Sequence, residues 1–513
     1  MKKFRKVLGL LLASAMMVGM LSACGGSGNT TTNPTGGDTT ASAGAETASR
    51  VKETDVSKMP VVKVHIPTGA NTDNNEKVVA AINEILAKEI GVQIELTWHG
   101  FGSYSQELNM MMTGSGEADV VYVGNISTYY NNGQLLDMTP YYSKYEQDFL
   151  NIFKPQYLEV NKRDGKIYAI TVNNYFSSAT IVHANKKMMD DLGVDPRDGE
   201  IWTLEELHDL VKLAVEKNPG VMGVVPQSGS ILLMGMNWDN LGDNYQVGVV
   251  EDNGNSGKVI SITDCAEYVD FAKAMRTWYQ EGLIMQDVLS NTETWTPLIQ
   301  QGRGFCVIDR GTYPPGITTD DSYWYNLAMN KNWSSSSAGS GLTYGICANT
   351  KYPEESFEVL RQLYINEDIA NLLKWGIEGE NYVVNDAGKA AFPEGQDLSN
   401  DTWTCGHVNG WILPNNRNGL LAYNTVDGYR EIYAKYDADA IVGATVGCVF
   451  DSSPVSDQYT SCINTYNKYY AAVMSGAVDT DETLEQYKAE LKAAGEDDVI
   501  AEKQKQLDAH LAK

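Results

Sequence analysis

Between Val61 and Val123 the hydrophobic period switches repeatedly between two residues and about 3.6, and this order limits the fold more than any other stretch. Val61-Val62-Lys63-Val64-His65-Ile66 is strand-like, and Pro67-Thr68-Gly69-Ala70-Asn71 is turn chemistry. From Asn75 to Ile90, residues Val78, Val79, Ile82, Ile85, Leu86 and Ile90 recur at helical spacing, with Gly91 placed to stop the helix. Val92 to Leu96 alternates as a second strand. The spacing predicts a helix around Ser105 to Thr113 and a third strand over Ala118 to Val123. That order implies βαβ units and a mainly parallel sheet.

The pattern recurs further along. Lys166 to Ile170 and Thr180 to His183 read as strands flanking a short loop. Trp202 to Val215 reads as a helix, with Thr203 as N-cap and Glu206 three residues on, a capping box. Phe271 to Glu281 is a further helix, Gly304 to Ile308 and Leu342 to Ala348 are strands, and Glu354 to Leu373 holds one or more helices. From about Asp479 the chain is rich in Glu, Lys, Ala and Gln and reads as a solvated helical pair. No fixed-period repeat is present.

The N-terminus carries a different message. Lys2, Lys3, Arg5 and Lys6 precede an apolar run from Val7 to Leu21, the layout of a secretory signal over residues 1–23. The run is shorter than the ~20 residues of a spanning helix. Leu21-Ser22-Ala23-Cys24-Gly25-Gly26 resembles a lipobox, so Cys24 is expected to be lipidated and to anchor the chain on the outer face of the cell membrane. Residues 24–57 are mostly Gly, Ser, Thr, Asn and Ala, the composition of a flexible tether.

Composition excludes several partners. The net charge is −27, and removal of the four basic signal residues makes it more negative still. Phosphate backbones need Lys and Arg, so no nucleic acid is expected. Six cysteines remain beside Cys24, sparse and without a CxxC, and no essential disulfide is expected. Among the 513 residues there is no GxSxG, HExxH or GxxxxGK[ST], and the six histidines show no metal spacing. Asp195-Pro196-Arg197-Asp198-Gly199 starts like a calcium loop, but Pro196 and the missing downstream pattern spoil it. The reading is therefore no enzyme, no metal and no cofactor. Tyr (29) and Trp (10) together far outnumber Phe (10), which favours surfaces that stack on a ligand while offering a hydroxyl or an N–H. Several follow predicted strands, where open parallel sheets bind ligands: Trp98 to Tyr104 after the second strand, Tyr129 and Tyr130 after the third.

Three stretches carry a family likeness. These are Lys166-Ile167-Tyr168-Ala169-Ile170 with Asn185-Lys186-Lys187, Trp375-Gly376-Ile377-Glu378-Gly379-Glu380-Asn381-Tyr382, and Phe450-Asp451-Ser452-Ser453-Pro454-Val455 with Tyr469-Tyr470 and Ser475 to Asp479. With the lipobox and tether, they resemble the extracellular solute-binding protein family 1 of ABC importers, in particular a LipO/LplA-like Gram-positive lipoprotein subgroup. Asn381 stands where that subgroup often has a basic residue or His. The resemblance implies an α/β, two-lobed periplasmic-binding-protein-like fold (type II), with a ligand cleft between lobes joined by hinge strands. Residues 58–178 with 340–430 would form the first lobe, and 179–339 with 431–513 the second lobe and C-terminal helices. The implied partners are a small solute, most naturally an oligosaccharide, and membrane permease subunits, with the chain itself a monomer. Ligand-binding candidates are Trp98, Tyr104 and Asn125 from the first lobe, Tyr175 near the crossing, and Trp238, Asn240 and Arg310 from the second, with Glu378 as an acceptor for sugar hydroxyls. Trp238-Asp239-Asn240 reads as a loop with an exposed aromatic, and Arg310 ends a strand where its guanidinium offers a planar fork of donors. A surface-anchored glycan-active enzyme and a glycan-binding lipoprotein without a transport role are the alternatives; turnover of glycans would mark the first.

Overall fold

A computed structural model describes residues 52–512 apart from 115–116, 198, 228–235, 315–316 and 319–321; Cys24, the signal and most of the tether lie outside them. Lys52–Lys513 form one compact unit. Two sheets organise it.

In the first sheet β1 (Val61–Thr68) lies parallel to β2 (Gln93–Gly100), in register from Val61 opposite Gln93 to Thr68 opposite Gly100. It also lies parallel to β3 (Val120–Tyr122). Crossovers α1 (Asn75–Ile90) and α2 (Phe101–Thr113) link these strands. The first has the expected bounds: Val78, Ile82, Leu86 and Ile90 are buried, and Gly91 ends it at φ 65°, where a residue with a Cβ would be strained. The strand order β2-β1-β3-β9-β4 is completed by β4 (Ala169–Thr171) and β9 (Thr343–Ile346), both antiparallel to their neighbours.

The second sheet has the order β8-β5-β7-β6. Its strands are β5 (Ala179–Asn185), β6 (Met222–Val224), β7 (Gly304–Gly311) and β8 (Trp324–Ala328). Only β6 and β7 run parallel; β5 is antiparallel to both β7 and β8. A mainly parallel sheet was therefore the wrong expectation here. Strand β5 enters directly from the first sheet through residues 172–178, so its direction is set by that crossing and not by a helical crossover. Helices α3 (Lys186–Leu192), α4 (Leu204–Lys217) and α5 (Ala266–Gln280) cover this sheet. The α4 capping box is present, with Thr203 and Glu206 bonded reciprocally.

The two sheets are the cores of two lobes. The chain crosses at 172–178 and returns at 329–342, after which α6 (Pro353–Ile365) and α7 (Glu367–Trp375) pack on the first core. It then passes through α8 (Tyr429–Ala438) to α9 (Ser456–Met474), α10 (Thr480–Ala493) and α11 (Glu496–Leu511). The crossing segments bond to one another: Ser178 pairs with Trp333, Asn173 with Asn415, and Trp333 with Ile441. The last helical pair is not simply solvated. Leu484, Tyr487, Leu491 and Val499 are buried in the second core, and Leu507 is buried beside it. Among the described residues Cys265, Cys306, Cys347, Cys405, Cys448 and Cys462 are buried and none is in a disulfide.

Candidate ligand cleft

The carboxyl ends of β1 and β2 bring Gly69 and Phe101 together, and a later loop adds an aromatic partner. Phe101 is 44% exposed and Trp411 42% exposed. Their rings stack at 5.8 Å with planes 10° apart. Two contacts hold this loop against the strand ends and the hinge. Asn409 Oδ1 accepts the Gly69 N–H and the Thr68 hydroxyl, both at 2.9 Å. Asn174, in the first crossing, donates its Nδ2 to the Trp411 carbonyl at 3.2 Å. An open, parallel aromatic pair at the strand ends suits the C–H face of a sugar ring.

Beside Trp411 a cavity of about 250 Å³ reaches back to the hinge, where Tyr175 and Tyr429 line it with Trp375 and His407. Burial pushes the His407 imidazole down to about 4, so it is neutral at neutral pH. Tyr175 packs 5.1 Å from Tyr433, which in turn lies 4.5 Å from Tyr429. The Tyr433 hydroxyl donates to the Thr312 carbonyl just beyond β7, tying α8 to the second lobe. Burial pushes the Tyr175 and Tyr433 phenols upward, so both act as neutral donors.

The second lobe has its own aromatic group. His183 of β5 is fully buried and stacks on Trp295 at 4.8 Å, with planes 2° apart. Tyr313 and Trp324 meet its edges at 4.8 and 5.6 Å. Its Nδ1 lies 2.8 Å from Asn326 Oδ1, and its Nε2 lies 3.4 Å from Asp309. Trp295 and Trp324 are themselves half-buried.

The sequence candidates scatter over this frame. Tyr175 lines the cavity. Arg310 reaches the first crossing, donating Nε to Ser178 Oγ at 3.0 Å with its guanidinium 4.7 Å above the Trp333 ring. Asn125 is exposed just past β3, where its Oδ1 accepts the Ser127 N–H. Trp98 is half-buried, its Nε1 bonded to Asn75 and its ring edge-on to Trp403 at 5.7 Å. Tyr104 is 6% exposed, and its hydroxyl donates to the Tyr122 carbonyl at 2.7 Å, which ties α2 to the sheet. Trp238 corrects the expectation of an exposed aromatic: it is 2% exposed, edge-on to Tyr268, with Nε1 donating to Gln246 at 2.7 Å. Asn240 turns its own loop, its Oδ1 accepting the Gly242 N–H. Glu378 is exposed in the Gly376–Gly379 turn. The neighbouring Asn381 is a buried hub, bonded to Asn74, Asp401, Thr402 and the Ile377 N–H.

The aromatics that sequence reasoning missed are the exposed Phe101 and Trp411 and the half-buried Tyr429, Trp295 and Trp324. Phe101 lay inside the aromatic stretch Trp98 to Tyr104, but the others are brought in from distant loops with no local signal.

Residues 70–364 match the family described as bacterial extracellular solute-binding protein, and residues 444–512 match a domain of unknown function. A Streptococcus pneumoniae protein described as a carbohydrate ABC transporter substrate-binding protein is 24% identical over 484 residues, covering 92% of this chain and 95% of its own. The N-glycan transport solute binding protein NgtS of S. pneumoniae superposes with a TM-score of 0.78 at 23% identity, over 88% of this chain and 99% of that one. A solute binding protein of Bifidobacterium longum infantis, described as binding HMO and associated with an ABC transporter, gives 0.63 at 16% identity, over 88% and 99%. These superpositions share the two-lobed fold, and the family match runs over more than half of the sequence: the chain belongs to the bacterial extracellular solute-binding protein family.

Proposed function

We propose that the chain is the substrate-binding protein of an ABC importer and captures an oligosaccharide by closing its two lobes. The observation that carries this is the exposed stacked pair Phe101 and Trp411 at the strand ends of the first lobe, beside a cavity that reaches Tyr175 in the first crossing. The carbohydrate description of the S. pneumoniae relative, which matches over 92% of this chain, supports it. Residues 58–178 with 340–430 make the first lobe in this reading, and 179–339 with 431–513 the second. Of the sequence candidates, Asn125, Tyr175 and Arg310 are the polar contacts, with Trp411 and Phe101 added as stacking faces. Cys24 carries the lipid anchor on the outer face of the cell membrane, and a permease reads the closed form of the monomer. A ligand touching both lobes favours closure only by its differential affinity for the closed state, so no covalent chemistry is needed.

A thermal-shift screen of the purified protein against mono- and oligosaccharides and peptides tests this. A ligand at 100 times its Kd stabilises by about 2.7 kcal/mol. With unfolding entropy near 2.1 cal/mol/K per residue, that is a rise of roughly 3 °C. Stabilisation by a glycan without turnover supports the proposal. Stabilisation by peptides alone, or cleavage of the glycan, would overturn it.

A further inference from the structure

The cavity against the hinge is chemically unusual for this protein. The chain has 66 Asp and Glu residues, yet no carboxylate is among the described residues that line this space. Its two basic side chains are not available either. Lys374 is 3% exposed, and its Nζ donates to the carbonyls of Asn418 at 2.6 Å, Leu420 at 2.7 Å and Asn416 at 3.4 Å. Those three bonds take up all the donors an ammonium has. His407 is held neutral by burial, stacked on Phe392 at 4.5 Å.

An acidic sugar entering here would lose water and meet no unengaged cation, which is strongly unfavourable. A plain hexose fares better, but each hydroxyl laid on an apolar wall still loses its hydrogen bonds to water. What the cavity offers is neutral and two-sided. Trp375, Trp411 and Val408 supply apolar surface, while Asn416 and Thr425 supply an amide and a hydroxyl. Its volume, about 250 Å³, falls just below the ~300–1,000 Å³ of pockets for drug-sized ligands, so it holds one ring and not a chain.

We propose that this cavity receives the N-acetylated ring of a neutral amino-sugar glycan, with the acetamido methyl on the Val408 and Trp411 side and the amide toward Asn416 and Thr425. The assignment rests on the oligosaccharide reading above and names the sugar class of the same cleft. Among groups carried on a neutral pyranose, an acetamido group matches such a lining because it brings one acceptor, one donor and a methyl together.

Calorimetric titration of the purified protein with N-acetylchitotetraose, cellotetraose and a cello-oligosaccharide ending in glucuronic acid tests it. The first two share linkage and ring configuration and differ only in acetamido against hydroxyl. N-acetylchitotetraose is expected to bind at least about fourfold tighter, the factor that burial of one methyl confers. The glucuronic acid glycan is expected to bind more weakly than either. The variant Val408→Trp, at a position 37% exposed and so tolerant of change, fills the cavity mouth. It is expected to weaken both tetraoses and to abolish the preference between them. Equal affinities in the unaltered protein, a preference that survives Val408→Trp, or tighter binding of the acidic glycan would each overturn the assignment. If neither tetraose binds but the screen finds another neutral glycan, the acetamido assignment fails alone. If no glycan binds, the oligosaccharide reading fails with it.

Discussion

The C-terminal helix is welded to the second lobe by one buried ion pair, and removing its cation has a calculable effect. Lys503 in α11 is fully buried, and its Nζ donates to Asp243 Oδ2 at 2.8 Å, Gly248 O at 3.0 Å and Asn240 O at 3.2 Å. Desolvation pushes the Lys503 ammonium down, with the Asp243 carboxylate pulling it back. Lys503→Met keeps the volume and deletes the charge. The Asp243 carboxylate keeps three donors, the Tyr245 and Val247 N–H groups and the Tyr459 hydroxyl. It loses its only counter-charge among the described residues. Stranding one partner of a buried pair costs about 3–5 kcal/mol. Over the compact unit the unfolding entropy is roughly 1 kcal/mol/K, so Tm should fall by about 3–5 °C at pH 7. Adding Asp243→Asn should recover part of that, because no buried charge then remains. Differential scanning calorimetry of the four proteins of the cycle decides the matter. A single Lys503→Met variant melting within about 1 °C of the parent would refute the reasoning, as would a double variant less stable than the single.

Three further outcomes follow from individual contacts. Trp411→Ala removes half of an exposed stacked pair and should weaken oligosaccharide binding about tenfold while leaving Tm unchanged, read by titration and calorimetry together. Thr203→Ala deletes the capping box of α4 and should destabilise by about 1 kcal/mol in urea unfolding, with no effect on ligand affinity. Glu496, at the start of α11, is 3% exposed, and burial pushes its carboxyl up to about 7. The folded state therefore holds this proton more tightly than the unfolded chain, and the stability it contributes is present in acid and lost as pH rises through about 7. Glu496→Gln should leave stability unchanged near pH 4 and raise it by up to about 3 kcal/mol at pH 8, measured as urea midpoints at both values.

What the sequence made legible was whatever short-range chemistry decides. Helix α1 ends where its periodicity and Gly91 say it should, and the α4 cap follows from Thr203 and Glu206. The family likeness carried the two lobes. Three things escaped for physical reasons. Strand direction in the second sheet depends on where the crossing enters it, which no local pattern encodes. The C-terminal pair reads as solvated because Lys and Glu dominate it, yet Lys503 is fully buried; a lone lysine whose carboxylate lies 260 residues away is indistinguishable from a surface one. Trp238 sits in polar loop sequence, but Gln246, eight residues on, supplies an internal acceptor for its indole and so allows burial. The stacking partners Phe101 and Trp411 are likewise joined only by the fold.

The hinge itself explains how such a protein can be both rigid and responsive. Its crossing segments are tied mostly by neutral bonds: Asn173 to Asn415 at 2.7 Å, Asn332 to the Ser177 hydroxyl at 3.2 Å, and Ser178 to Trp333 through two backbone bonds at 3.0 and 2.9 Å. Asp437 is the charged exception, accepting from both Ser177 and Arg417. The Ser178–Trp333 and Asn332–Ser177 bonds lie within the crossings, so a rotation of one lobe against the other need not break them. In the proposed closure the ligand meets the stacked Phe101 and Trp411 rings, and these are neutral as well. A closing motion then moves little charge through low dielectric, and the equilibrium between open and closed forms stays within reach of the few kcal/mol that a ligand shared by both lobes supplies.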